Sequence, residues 1–282
     1  MKSLLGYVSP TSIQEAAAFL ETNPGARIIS GGSDLVVKWK NGMLPDLTHF
    51  VDIGTLRLDR IEMVSSLVRI GSACTMASIA SDDRIKSRFP ALAAAALVVG
   101  APQIRNMATL GGNVANASPA GDTIPALMSL DALVVLHGTK GERRVEIASF
   151  FTGVGKTVME RGEIITAFEL MDRPTKGMFL KLGERRAHAI SKVSAAVSTW
   201  TLPGNRPEWR VALGAVAPTV IRARRAEALL DGHSGHLVSE TLERVKVLVA
   251  EDAKPIDDVR SQATYRRKMT AVLVERIISR IS

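Results

Sequence analysis

Ile29-Ser30-Gly31-Gly32-Ser33-Asp34-Leu35-Val36 is the stretch on which the fold turns. It follows a short β-branched segment, Arg27-Ile28-Ile29, and leads into residues that predict a helix as far as Asn41-Gly42, a pair that stops helices. Paired glycines after a strand let the chain turn where a Cβ would clash, and they let successive backbone N–H groups converge on an oxyanion. Ser30 and Ser33 add hydroxyl donors, and the following helix would point its positive end at the same place. A phosphate is the natural guest. A Gly-Gly turn also serves many folds with no ligand at all, so one such loop is a weak signal.

A second loop strengthens it. The region Gly100 to Pro125, read as long and irregular, contains Arg105-Asn106-Met107-Ala108-Thr109-Leu110-Gly111-Gly112-Asn113 and then Ala117-Ser118-Pro119-Ala120-Gly121-Asp122-Thr123. Thr109, Gly111, Gly112 and Asn113 repeat the chemistry of the first loop. Neither loop carries the Gly-Lys-Ser/Thr ending of a phosphate loop or the Gly-x-Gly-x-x-Gly of a Rossmann turn. A dinucleotide pyrophosphate held between two loops from different units remains open. Asp122, on a turn-rich segment, is either a turn or helix cap or a carboxylate that accepts from sugar or ribityl hydroxyls. Arg105 and Lys181 are equally ambiguous between solvated charges and ligand contacts.

Outward from the first loop, Ser12 is placed to cap a helix through about Glu21, Pro24-Gly25 breaks it, and His49 to Ile53 reads as a strand. These make a βαβ-like unit, 1–54. A second unit, 55–174, holds β-branched segments at Leu67 to Ile70 and Leu133 to Leu136 and an alanine-rich helix, Phe89 to Val99. A third, 175–282, alternates over Lys192 to Thr201 and Arg210 to Ala217, which predicts an antiparallel sheet, and then shows helices at Ala223 to Leu230, Ser239 to Ala250 and Tyr265 to Ile281. Met269, Val272, Leu273, Arg276 and Ile277 fall on one face of the last helix and predict its core side. The fold class expected is α+β.

Composition narrows the function. With 282 residues, 46% apolar and 23% charged, the chain is globular and long enough for two or three cores. The longest apolar run, Ala91 to Gly100, is too short to span a bilayer, and Lys2 is followed by no signal-peptide pattern because Tyr7, Pro10 and Gln14 interrupt it; a cytoplasmic protein is expected. A lone cysteine, Cys74, excludes an internal disulfide and cannot ligate an iron–sulfur cluster or a zinc, so any cluster must sit on another chain. Cys74 itself reads as a small buried hydrophobe. The net charge of +8 is spread out and the aromatics are only 4%, which leaves few stacking platforms for nucleic acid and suits a dinucleotide or an acidic partner. His49, His137, His188, His233 and His236 show no metal spacing, and no nucleophile elbow or acid–base pair stands out. Any chemistry is expected to come with a cofactor.

The two glycine loops and the Ala117 to Asp122 segment closely resemble the FAD subunit of the xanthine dehydrogenase and carbon monoxide dehydrogenase family, the molybdenum hydroxylases. The resemblance runs from Tyr7-Val8-Ser9-Pro10 through Gly183-Glu184-Arg185-Arg186 to Ala263-Thr264-Tyr265-Arg266-Arg267, in family order. It implies an FAD-binding fold of the vanillyl-alcohol oxidase and cell-wall reductase type in the first two units. By motif position, Ile29, Ser30, Gly31, Gly32, Ser33, Asp34, Leu35 and Val36, with Thr109, Leu110, Gly111, Gly112 and Asn113, would line the pyrophosphate and ribityl region. Asp122, Ile165 and Lys181 would be further FAD contacts, the last two on the weaker motifs Glu163-Ile164-Ile165 and Phe179-Leu180-Lys181.

The resemblance also implies partners: a molybdopterin large subunit that hydroxylates substrate and a two-cluster iron–sulfur small subunit that feeds electrons to this FAD, in a dimer of heterotrimers. The flavin would hand them to an external acceptor. Where animal-type relatives place an aromatic residue near the flavin, Val99 stands here, and no cysteine-bearing loop for an extra cluster is present. With no histidine or cysteine in the glycine loops, covalent flavin attachment is not expected. Two other readings are a self-sufficient FAD oxidoreductase of the same fold, which would need acid–base residues beyond the loops, and a non-enzymatic subunit that has lost FAD, which would be colourless.

Overall fold

The computed structural model describes residues 4–185, 189–233 and 237–282; Lys2, Arg186, His188 and His236, named above, lie outside them. The chain begins with β1 (Gly6–Val8), α1 (Ile13–Thr22), β2 (Ala26–Ile29), α2 (Leu35–Lys40) and β3 (His49–Asp52). The three strands form a parallel sheet with β3 in the middle, so β1, which the sequence reading did not assign, is needed to complete it. Ser12 caps α1 by accepting from the Glu15 N–H at 3.1 Å. That fixes the helix so that Ala16, Ala17 and Leu20 pack on Ala26 and Val51.

The middle of the chain runs β4 (Ile61–Val64), β5 (Leu67–Gly71), α3 (Met76–Ser81), α4 (Asp83–Arg88), α5 (Pro90–Leu97), α6 (Pro102–Arg105), α7 (Leu110–Ala115), α8 (Thr123–Ser129), β6 (Leu133–Gly138), β7 (Gly141–Glu146), α9 (Ile147–Phe150), β8 (Phe151–Gly153), β9 (Lys156–Thr157) and β10 (Ile164–Met171). Five of these strands form an antiparallel sheet in the order β4-β5-β10-β6-β7. The region Gly100 to Pro125, expected to be irregular, instead folds into the three short helices α6, α7 and α8. Glycine, asparagine and proline in and between these helices keep intrinsic helix propensity low, so the local sequence does not announce them.

The last third is β11 (Lys176–Leu182), β12 (Val193–Leu202), β13 (Arg206–Gly214), β14 (Ile221–Arg222), α10 (Arg224–Leu230), α11 (Ser239–Asp252) and α12 (Ala263–Ile281). Its antiparallel sheet is buried on both faces. Phe179, Ala196 and Ala212, side by side in register, join the core of the middle region. Met178, Val197 and Val211, the next residues along, face the three C-terminal helices. Small residues set the spacing on the inner face: a Cβ on Gly177 would meet Ala91 of α5 at 3.4 Å, and one on Gly214 would meet Pro125 of α8 at 2.9 Å. The alanine-rich α5 can therefore lie close to the sheet.

The final helix corrects one expectation. Leu273 and Ile277 are buried as expected, but Arg276 is exposed and Met269 and Val272 are only half-buried. The buried stripe instead runs through Arg266, Thr270, Leu273, Val274, Ile277, Ile278 and Ile281.

Candidate functional site: two glycine loops and a buried ion pair

The first loop leaves the end of β2 and turns at Gly32, whose φ is +65°. That is left-handed backbone, which glycine adopts without the penalty a Cβ brings. The carbonyls of Gly32 and Asp34 accept from Val36 and Lys38 N–H at 3.0 Å, which commits them to α2. Among the described residues, the backbone N–H groups of Gly31, Gly32, Ser33 and Asp34 donate to no protein acceptor. Four consecutive unpaired donors on a left-handed turn form a concavity suited to an anion. Ile29, Leu35 and Val36, half-buried, support it from beneath; a Cβ on Gly32 would lie 3.1 Å from Val36 Cγ2 and 3.4 Å from Ile29 Cδ1. Lys38, one turn on, ion-pairs with Asp34 at 2.7 Å and donates to Asn116 Oδ1 at 2.5 Å.

The second loop is built differently. Leu110 N–H donates to Cys74 O at 3.0 Å, Gly111 to Ser72 O at 2.7 Å, and Asn113 to Thr109 O at 3.0 Å. Gly112 N–H donates to Thr109 Oγ1 at 3.2 Å, so Thr109 is the N-cap of α7. The backbone N–H groups of Leu110, Gly111, Gly112 and Asn113 are thus committed inside the protein, so these amides differ from the open ones of the first loop, against the expectation that the second loop repeats its chemistry. Its glycines answer to packing. A Cβ on Gly111 would sit 2.7 Å from Ser72 Cβ and 2.8 Å from Ser72 O, whereas one on Gly112 would meet only Thr109 Oγ1 at 3.0 Å.

The loops touch. A Cβ on Gly31 would lie 1.7 Å from the Met107 carbonyl oxygen and 3.1 Å from Ala108 N. Only glycine permits this backbone-to-backbone approach, which sets the first loop against the lead-in to the second. The bond from Lys38 to Asn116 ties α2 to the end of α7 and makes a second link.

Asp122 and Lys181 come together as a buried pair rather than as separate groups. Lys181 Nζ donates to Asp122 Oδ2 at 2.6 Å, to Val98 O at 2.9 Å and to Ala189 O at 3.2 Å, which fills all three of its donors. Ser191 Oγ donates to Asp122 Oδ1 at 2.6 Å. Burial pushes the Asp122 carboxyl above its ordinary value, opposed by the Lys181 charge and the hydrogen bonds from Lys181 and Ser191. Although Asp122 stands at the start of α8, its side chain makes no capping bond. Each carboxylate oxygen keeps a lone pair beyond its one protein donor.

Ile165 buries its side chain in the middle core, so it meets the site through its backbone neighbourhood: Thr166 O accepts from Ser72 N–H, and Ser72 O receives Gly111. Arg105 donates to the carbonyls of Val99 and Gly100, clamping the turn between α5 and α6. Val99 packs on the core. Exposed apolar side chains, Leu97, Val98, Ile104 and Met107, line the same turn. Sequence reading missed Lys38, Ser72, Met107, Asn116 and Ser191. Their partners lie far off in sequence, 78 residues for Lys38 and Asn116 and 69 for Ser191 and Asp122, and no local pattern marks such pairs.

Elsewhere the chemistry is closed. Cys74 is buried and its thiol is pushed up to about 11 by that burial. No group of three or more His, Cys, Asp or Glu among the described residues could hold a metal ion. A cleft of about 490 Å³ is lined by Asp131, Arg210, Arg222 and Glu227, but its charges neutralise one another: Asp131 takes Arg210 at 2.8 Å and Arg222 at 2.6 Å. No helix among the described residues is long and apolar enough to cross a membrane. A dinucleotide fits this donor set. The open amides suit a pyrophosphate, the missing Cβ atoms keep the loops close, and Asp122 offers acceptors for hydroxyls.

Comparison with known proteins agrees along the whole chain. Residues 3–170 match a family described as the FAD binding domain in molybdopterin dehydrogenase, and residues 178–281 match the CO dehydrogenase flavoprotein C-terminal domain. The chain is 32% identical over 284 residues to the xanthine dehydrogenase FAD-binding subunit of Escherichia coli O157:H7, covering 99% of this chain and 96% of the relative. It is 31% identical to the glyceraldehyde dehydrogenase medium chain of Sulfolobus acidocaldarius, covering 98% of each. Among solved structures, reconstituted CO dehydrogenase from Oligotropha carboxidovorans superposes with a TM-score of 0.92 at 28% identity, over 100% of this chain and 98% of that one.

Proposed function

Since this chain belongs to the FAD-binding medium subunits of the molybdenum hydroxylase family, we propose that its two-loop site holds FAD between an iron–sulfur small subunit and a molybdopterin large subunit. The chain is an oxidoreductase subunit, and FAD is its own cofactor. When bound, FAD would supply the redox chemistry that links the iron–sulfur subunit to an external acceptor. The protein's part is to bind and orient. The open N–H groups of Gly31, Gly32, Ser33 and Asp34 take pyrophosphate oxygens, with Ile29, Ser30, Leu35 and Val36 shaping the cradle and Lys38 offsetting charge. Thr109, Leu110, Gly111, Gly112 and Asn113 supply a rigid wall. Asp122 accepts from a ribityl hydroxyl, held in place by Lys181 and Ser191, and Ile165 supports the wall from the core.

The run of unpaired amides in the first loop is the observation that carries this reading. The relatives are named for different substrates, which fits a subunit whose substrate is chosen elsewhere in the complex. The finer picture completes it: a fold of the vanillyl-alcohol oxidase type, units at 1–54, 55–174 and 175–282, a dimer of heterotrimers, and a cytoplasmic location. Purifying the chain with its partner subunits and measuring its visible spectrum and released flavin tests the reading. The expected result is about one FAD per chain, lost in Gly32→Val. A folded complex with no flavin would overturn it.

A further inference from the structure

Asp34 and Asp82 both stand at the start of a short helix, and their carboxylates do different things. Asp82 turns onto α4: its Oδ1 accepts from the Arg84 N–H at 2.9 Å and the Ile85 N–H at 3.1 Å, while its Oδ2 pairs with the Arg84 side chain at 3.0 Å. That is the ordinary behaviour of an aspartate in this place. Asp34 makes no capping bond on α2; its Oδ2 meets Lys38 Nζ at 2.7 Å, four residues further along. The same ammonium donates to Asn116 Oδ1 at the end of α7, so two of its three donors are fixed. With the side chains 35% and 55% exposed, the ion pair adds little to stability, and its use lies in where it puts the carboxylate. Asp34 also carries the last of the open amides in the first loop. A free carboxylate here would be an anion tethered beside a cradle that has to take another, repelling the guest and competing for its donors.

We propose that Lys38 is a positioning residue for the cofactor: it draws the Asp34 carboxylate along α2 and neutralises it, which keeps the amides of Gly31 to Asp34 free for a pyrophosphate. Lys38 acts through Asp34 and does not touch the phosphate. The inference rests on the reading of the first loop as the phosphate cradle of FAD, and it adds how that cradle is kept clear of the protein's own anion. Asn116 gives the pull its direction. Held from the second loop's helix, the ammonium cannot follow the carboxylate back toward the amides.

Calorimetric titration of FAD, and separately of inorganic pyrophosphate, into the deflavinated full-length chain tests the proposal. Lys38→Met should weaken both ligands about tenfold at low salt, with its melting temperature close to that of wild type. Asp34→Asn should bind both about threefold more tightly, and the gain should shrink as salt rises. The double variant Asp34→Asn, Lys38→Met should return to within about threefold of wild type, because the anion that Lys38 restrains is gone. Wild-type affinity in Lys38→Met overturns the proposal. So does a double variant as weak as Lys38→Met: with a normal melting temperature, Lys38 touches the phosphate itself, and with a lowered one it only ties the loops together. Pyrophosphate lets the pattern be read even where FAD does not bind, an outcome that would break the cofactor reading alone.

Discussion

The same dipeptide, Gly-Gly, does two physical jobs about 80 residues apart. Gly31-Gly32 sits on a left-handed turn and leaves four successive N–H groups without a protein acceptor among the described residues. Gly111-Gly112 lies inside a short helix whose first four N–H groups, those of Leu110 to Asn113, are committed to Cys74, Ser72 and Thr109. One loop displays donors; the other removes bulk so that backbones can approach. The contrast shows that glycine in a binding loop is not by itself evidence of ligand contact. Where the neighbouring amides point decides which role it has.

The largest effect that would expose this division comes from Gly31→Ala. Its Cβ would fall 1.7 Å from the Met107 carbonyl oxygen, and neither backbone can yield without parting the loops. A loss of about 3 kcal/mol or more is expected, with FAD released, as read from denaturant melts and flavin fluorescence. Next is Gly111→Ala, whose Cβ would press on Ser72 at 2.7 Å. Stability should fall by about 2 kcal/mol, while FAD affinity, measured well below the melting temperature, stays within about threefold of wild type. An affinity collapse in a stable Gly111→Ala protein would mean that the second loop meets the ligand directly.

What the sequence disclosed follows the range of the interactions. The Ser12 cap and the turn at Gly31-Gly32 are local, and each is written in adjacent residues. β10 was not legible as a central strand because Ile164 to Leu170 is buried on both faces and shows an apolar run without alternation. The three-residue β1 is too short to carry a pattern. The Asp122 and Lys181 positions could be singled out, but their pairing spans 59 residues and depends on how the C-terminal sheet meets α8. The free state of the first loop's amides and the committed state of the second's are tertiary facts that two nearly identical motifs cannot distinguish.

Gly32→Ala reverses the balance seen at Gly111. The left-handed turn makes a Cβ unfavourable by about 1 kcal/mol, a modest loss of stability. Relaxing that strain rotates the amides away from convergence, so FAD affinity should drop about tenfold or more in isothermal titration of the deflavinated chain. Equal affinity losses at Gly32 and Gly111 would dissolve the distinction between the loops.

The smallest expected effect is the most discriminating. In Gly112→Ala the new Cβ meets only Thr109 Oγ1, at 3.0 Å, a hydroxyl that can shift by a few tenths of an ångström. Replacing a helical glycine by alanine is favourable by about 1 kcal/mol in an open helix, and the disturbed Thr109 cap offsets part of that. The net change should lie within about 0.5 kcal/mol, with FAD content unaltered. Because Gly112 is exposed on the same short helix, it is where a phosphate approaching the second loop would come closest to backbone. A Gly112→Ala protein of normal stability that no longer retains FAD would therefore show that the second loop needs its glycines for the ligand as well as for packing.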